Sequence, residues 1–233
     1  ALLHAVHYYR AERERALREA GLARGLAEAR LAALRTQLQP HFVFNVLNAV
    51  TTLLHASPMA ADRMLTRFAA LLRETLSEAG EEHTLERELE LLTRYVELMQ
   101  LRFGDRIVVE WSVRDDVRDA LVPFLVLQPL VENAYEHGLS GRESGGRLRI
   151  AAARHGAMLE LQVEDDGAGM PVHATATDTS GRGIGLRNTR DRLTLLYGDA
   201  GTLRLEQVAG GGTRAVVCLP FKTDAARRGH VAA

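Results

Sequence analysis

Apolar positions recur along this chain with two different periods. From about Tyr8 to Phe103 they return every three or four residues in a background of Ala, Leu, Glu and Arg, with scarcely a strand signal. That spacing and composition favour helix. Ala11 to Thr36 is dense in charge, with Leu17, Leu31, Leu34 and Leu38 at helical spacing, which predicts a long helix that seeks a partner helix. Ser57-Pro58 marks a new start, with Ser as N-cap and Pro at the first helical position. Leu65, Phe68, Leu72 and Leu76 give this second helix its expected apolar stripe, and Gly80 ends it. A third helix is expected from about Leu85 to Phe103, with Leu89, Leu92, Val96 and Met99 on one face.

After Gly104 the period shortens to two. Ile107 to Val113, Arg147 to Ala153, Met158 to Glu164, Thr202 to Gln207 and Thr213 to Leu219 read as strands. Helices are expected around Leu125 to His137 and Arg187 to Tyr197, and the largest loop between Gly167 and Gly185. Helices first, then strands interleaved with helices, predict an α+β chain: a helical hairpin followed by an α/β sandwich whose sheet is covered on one face.

Composition narrows the picture. The chain has 233 residues, 46% of them apolar, and a formal net charge of -1, enough to bury a core and without the basic field that would point to nucleic acid. Lys222 is the sole lysine, so anion binding falls to Arg, His or backbone N–H groups. Cys218 is the sole cysteine; it sits in an alternating apolar run and reads as a small core residue. The longest apolar run, Leu121 to Val131, is too short to span a bilayer. The chain opens at Ala1 without Met and is expected to be a piece of something longer.

Three motifs in the second half suit a nucleotide. In Val131-Glu132-Asn133-Ala134-Tyr135-Glu136-His137-Gly138, Asn133 and His137 are four apart and on a helix share a face. An amide oxygen there can take a Mg²⁺ position, and the imidazole can reach phosphate. Asp165-Asp166-Gly167-Ala168-Gly169 follows a strand, where a carboxylate can accept from an exocyclic amine while glycines let backbone approach. Gly181-Arg182-Gly183-Ile184-Gly185-Leu186 opens a helix, exposing N–H groups to an anion. A Rossmann site would need a strand just before those glycines; a long polar loop stands there instead. Gly212-Thr213 starts the last strand, where the Thr hydroxyl can complete a base pocket.

Each motif alone has an ordinary structural explanation. Jointly and in this order they resemble the N, G1 and G2 boxes and final Gly-Thr of the GHKL (Bergerat) ATP-binding fold, shared by histidine kinases, gyrase, MutL and the SpoIIAB-type anti-sigma kinases. GHKL ATPases such as gyrase carry a Glu four residues before the N-box Asn. Here that position is Pro129, which can neither take nor give a proton, so transfer to a protein acceptor is favoured over hydrolysis. Glu132 is adjacent to Asn133 but projects about 100° away around an α-helix.

The acceptor candidate is Gln39-Pro40-His41-Phe42-Val43-Phe44-Asn45, with Phe42, Val46, Ala49 and Leu53 as its apolar stripe and Pro40 expected to bend the helix at His41. This motif resembles the acceptor box of the LytS/YehU family of sensor histidine kinases. The likeness extends through Leu125-Gln128-Pro129-Leu130-Val131-Glu132-Asn133 and Gly185-Leu186-Arg187-Asn188.

The resemblance implies ATP and Mg²⁺ as cofactors and His41 as the phosphorylated residue. Asn45 would stand where other kinases carry a residue tied to phosphatase activity. Phe42 replaces the Asp or Glu that commoner families place after the His, which leaves Glu132 or a phosphate oxygen to take the imidazole proton. Asp165 and Thr213 would hold adenine, with Gly167 and Gly169 shaping that turn, and Asn133 would bind Mg²⁺. His137 and Arg187 would offset phosphate charge, and backbone from Gly183, Ile184, Gly185 and Leu186 would cradle the phosphates under a lid from Met170 to Arg182.

The implied layout is a signalling helix in coiled-coil pattern over 1–36, a dimerisation and phosphotransfer region over 37–103, an ATP-binding domain over 104–222 and a flexible tail over 223–233. The implied partners are a second copy of the chain and a response regulator receiver domain, often of LytTR type, with no nucleic acid. Membrane attachment would come only through a segment outside this chain, making it the cytoplasmic part of a bacterial inner-membrane protein. Two rival readings share the nucleotide boxes: an anti-sigma-type protein serine kinase and a non-catalytic ATP-binding dimer module.

Overall fold

The computed structural model describes residues 40–77, 80–103, 106–139, 145–169 and 184–223. The expected helix over 1–36, the lid from Met170 to Arg182 and all of the tail beyond Thr223 lie outside the described residues. The chain divides after Asn45 into two units, and the account below concerns the second, with helix α1 crossing the division.

Helix α1 (Pro40–Ala56) ends before Ser57, and α2 (Pro58–Ser77) begins at the anticipated proline. The Ser57 carbonyl accepts from the N–H groups of Ala60 and Ala61 at 2.9 and 3.1 Å, opening the helix. The buried face of α2 matches the expected stripe only at Phe68. Ala61, Met64, Phe68, Leu71 and Thr75 face inward, while Leu65 and Leu76 are 47% and 44% exposed. The helix carries two apolar faces, and the one with fewer leucines packs on α3 (Leu85–Phe103). Glu74 ties the pair, bridging Arg87 and Arg94 of α3. Helix α3 is buried more widely than one stripe: Leu85, Leu91, Tyr95 and Leu98 join the expected Leu89, Leu92, Val96 and Met99.

A mixed five-stranded sheet forms the second layer. Its order is β2 (Ile107–Val113), β4 (Gly146–His155), β5 (Met158–Asp165), β7 (Thr213–Pro220), β6 (Thr202–Gln207). Only the β2–β4 pair is parallel. Register aligns Leu148, Ile150, Ala152, Leu159, Leu161, Val163, Ala215, Val217 and Leu219 on one face, all buried. Helix α5 (Ile184–Tyr197) packs against β6 and β7, and the turn after α4 (Gln128–Asn133) against β4 and β5. Cys218 falls on the opposite face, half-buried and 3.8 Å from Glu160 Oε2, rather than in the core, because its two neighbours take the inward positions.

A second sheet was not legible in the sequence: β1 (Glu82–Thr84) pairs antiparallel with β3 (Leu121–Pro123). Three residues each are too few to show alternation. The pairing fastens the start of α3 to the approach of α4, helped by Leu85 N–H to Ala120 O at 2.7 Å and Phe124 N–H to Glu81 O at 3.0 Å. Among the described residues no helix is long and apolar enough to cross a membrane.

Candidate nucleotide-binding site

The expected helix from Leu125 to His137 is in fact three pieces. Leu125 adopts a left-handed backbone, φ 54°, which excludes it from the helix. Helix α4 begins at Gln128 with Pro129 in its first turn, where its missing N–H costs nothing. After Asn133 the backbone widens into a π-helical turn, Ala134–Leu139, a local form frequent at functional sites. Asn133 is half-buried at the junction and His137 exposed on the π turn, still about one turn apart.

The π turn delivers Gly138 to the end of β5. Asp165 lies there on the helix-facing side of the sheet, 3% exposed. Its Oδ1 accepts from the Gly167 N–H at 2.9 Å, and the Thr213 N–H also hydrogen-bonds its carboxylate. Burial pushes this carboxyl above its ordinary range, and those two N–H groups pull the other way. Three glycines make the approach possible. A Cβ on Gly138 would stand 2.4 Å from Asp165 Oδ1, one on Gly167 2.1 Å from Gly138 O, and one on Gly212 2.0 Å from Asp165 O. Gly169, φ 75°, lies against Gly212, and Thr213 is buried at the start of β7. Asp165, Gly167, Gly169 and Thr213 are thus brought together.

Asp166 plays a different part. Its Oδ1 accepts from the Arg147 N–H at 2.8 Å, holding the loop to β4.

Helix α5 starts at Ile184, so Gly185, Leu186 and Arg187 lie in a first turn whose N–H groups have no intrahelical acceptor. Leu186 is buried, Gly185 half-buried, Arg187 exposed, and Thr189 Oγ1 donates back to Gly185 O at 3.0 Å. Gly183 lies outside the described residues. The backbone of His41 and Asn45 is helical in α1, and their side chains are not among those described.

Glu132 points into the core, 5% exposed. Burial, with a smaller contribution from the Glu136 charge, pushes its carboxyl up to about 8. It is therefore mostly protonated at neutral pH.

The residues fit a nucleotide with its metal. Asp165 is an acceptor at the edge of an apolar layer, walled by glycine backbone rather than side chains. Among the described residues no three His, Cys, Asp or Glu cluster to hold an ion.

Sequence reasoning missed a polar cluster in front of α4. Glu88, 1% exposed, accepts from His83 Nε2 at 2.7 Å, Leu125 N–H at 2.9 Å and Leu127 N–H at 2.7 Å. Arg192 of α5 donates to the Leu125 carbonyl at 3.4 Å. The signal was present: Glu88 stands between Leu85 and Leu92 at helical spacing, a charge on an otherwise apolar face.

Comparison with known proteins agrees with this geometry. Residues 29–107 match the family described as histidine kinase. Residues 118–223 match the histidine kinase-, DNA gyrase B- and HSP90-like ATPases. The chain is 31% identical over 208 residues to the sensor protein LytS of Staphylococcus epidermidis, covering 85% of this chain and 35% of that protein. It is 32% identical over 200 residues to the sensor histidine kinase YesM of Bacillus subtilis, covering 85% and 34%. A solved histidine kinase domain from Erythrobacter litoralis aligns at 18% identity with a TM-score of 0.49, over 83% of this chain and 91% of that one. The chain spans about a third of the length of the curated relatives it matches. With a histidine kinase segment joined to a GHKL ATP-binding domain, the chain belongs to the sensor histidine kinases.

Proposed function

We propose that this chain binds Mg-ATP at the Asp165–Asn133 site, phosphorylates His41, and passes the phosphoryl group to an Asp of a response regulator receiver domain. One observation carries the nucleotide half of the reading: Asp165 is buried on the helix-facing side of the sheet within a shell of Gly138, Gly167 and Gly212 backbone. Adenine would donate its exocyclic amine to the Asp165 carboxylate, with Thr213 beside it. Asn133 would hold Mg²⁺, which supplies charge neutralisation between the phosphates. His137 and Arg187, both exposed, are free to offset the remaining phosphate charge, and the first-turn N–H groups of α5 suit an anion. Gly183 and Ile184 would complete that cradle.

The acceptor half rests on PHFVFN and on Pro129. A neutral His41 imidazole nitrogen would form the new bond to the γ-phosphorus as the β–γ bridging bond breaks, with ADP leaving and the ring's proton passing to a phosphate oxygen. Pro129, buried in the first turn of α4, offers no base to activate water. Asn45, four residues after His41, would stand where other kinases carry a residue tied to phosphatase activity. Leu65 and Leu76, exposed on α2, suit a four-helix dimer interface. The family likeness is what supports membrane anchoring through a further segment and a regulator of LytTR type.

The test is the chemistry of the product. Wild-type protein given γ-labelled ATP and Mg²⁺ should acquire an acid-labile, base-stable label while releasing phosphate slowly. Acid-stable label would favour a serine kinase. No label with intact ATP binding would favour a module that signals by shape.

A further inference from the structure

The strained residue in this fold lies just outside the nucleotide site. Leu125 is the only non-glycine residue with a positive φ among the described residues, at 54°, and it is buried. Strained backbone persists where the surroundings over-determine it, and it marks places where function merits a search. Both polar groups of Leu125 are gripped by side chains from other elements. Its N–H donates to Glu88 of α3 at 2.9 Å, and its carbonyl accepts from Arg192 of α5 at 3.4 Å. Two residues on, the Leu127 N–H also donates to Glu88, at 2.7 Å, and Leu127 is the N-cap of α4.

The two grips come from opposite sides of the chain's organisation. Helix α3 packs on α2 and starts from the β1–β3 pair. Helix α5 ends on Tyr197, which donates to Glu82 of β1 at 2.6 Å. Six residues after Leu127 stands Asn133. From this geometry we infer that Glu88 and Arg192 are positioning residues. By clamping the left-handed Leu125 peptide between α3 and α5, they set where α4 begins and hence where Asn133 presents its amide to Mg-ATP. Displacement of α3 or α5 acts on the same peptide, so both helices reach the nucleotide site through one turn. His83 steadies the clamp. Its Nε2 donates to Glu88, its Nδ1 is buried without a hydrogen-bond partner, and its ring stacks edgewise on Phe124 with centroids 5.2 Å apart.

The inference rests on the nucleotide reading above, and the experiment separates the two. Mg-ATP affinity and thermal midpoint are measured for wild type, Asn133→Asp, Glu88→Gln, Arg192→Gln, the Glu88→Gln/Arg192→Gln pair, and Leu125→Gly in the Glu88→Gln background. Glu88→Gln keeps the shape of the side chain but loses the charge that holds two N–H groups. It should weaken Mg-ATP binding roughly tenfold, and Arg192→Gln should do likewise. The pair should fall short of the product of the two losses, because both act on one peptide.

Glycine adopts φ 54° without strain. Leu125→Gly should therefore restore part of the affinity lost in Glu88→Gln even as deletion of a buried leucine lowers the thermal midpoint. A merely structural Glu88 would give no such divergence. The inference fails if Glu88→Gln and Arg192→Gln bind Mg-ATP within twofold of wild type, or if affinity tracks thermal midpoint through the whole set. If Glu88→Gln does not fold, Arg192→Gln with and without Leu125→Gly decides on the same criteria. Unaltered binding by Asn133→Asp would instead overturn the nucleotide reading itself.

Discussion

The two ends of α4, a helix only six residues long, are fixed in opposite ways. At the front, long side chains from distant elements reach in: Glu88 takes the N–H groups of Leu125 and Leu127, and Arg192 takes the Leu125 carbonyl. At the back, glycines stand in place of long side chains: Gly138 lets its backbone meet the Asp165 carboxylate, and Gly167 and Gly212 let backbone meet backbone, at distances that no Cβ would allow. Charge-assisted contacts have reach and can be reset by moving the element that carries them. Steric contacts of this kind have one solution. The same short helix is thus held by reaching side chains where it begins and by close glycine packing where the turn after it meets Asp165.

Breaking the rigid end should have the largest effect. Gly212→Ala adds a methyl 2.0 Å from Asp165 O at a backbone φ of 95°. Strain and overlap together should cost roughly 3 kcal/mol or more, a fall in thermal midpoint on the order of 10 °C, with loss of ATP binding. Gly156→Ala sharpens the point: φ is 62° there, but nothing lies within 4 Å of the added methyl. It should cost only about 1 kcal/mol and leave nucleotide affinity alone. Equal losses in the two variants would mean that backbone strain alone, not close approach, governs the site.

Asn133→Asp probes the junction between the two ends. Charge and donor pattern at the ion both change, so Mg-ATP affinity or transfer should drop by at least the roughly 10–100-fold that even indirect metal contacts command. Unchanged kinetics with Mg-ATP would make Asn133 a structural residue.

A pH-dependent effect concerns Glu132, one position earlier. Its carboxyl sits at about 8 when folded against an ordinary 4.5. Folding therefore retains a proton that the unfolded chain releases between those values. The stability this group permits is complete below about 4.5, declines as pH rises, and is lost through about 8. Glu132→Gln removes the titration. Its thermal midpoint relative to wild type should improve steadily from about pH 5 to about pH 8. A constant offset across that range would show that Glu132 is not the buried acid described.

Much of this arrangement could be read from residue order alone. The five long strands, the Pro58 helix start and the span of α3 follow from period and punctuation, because each element is long enough to display its own pattern. The joining of Asp165 to Thr213 was legible because both stand at strand ends beside glycines. The β1–β3 pair was not, since three residues show no period. The inward face of α2 was misread because leucines count equally toward either apolar face until a partner chooses one. The break at Leu125 was hidden inside an apolar run. Nothing in its own side chain asks for a left-handed turn; that demand comes from Glu88, 37 residues earlier, and Arg192, 67 residues later. Long-range polar grips leave only a faint local trace, such as one glutamate on an apolar helix face.

The most direct measurement is label incorporation by His41→Gln beside wild type, with nucleotide affinity determined on the same preparations. The account predicts that wild type is labelled, that the variant takes up no label, and that both bind Mg-ATP equally well. Equal labelling of the two proteins would contradict it, as would rapid phosphate release that persists without His41, because water would then be the acceptor.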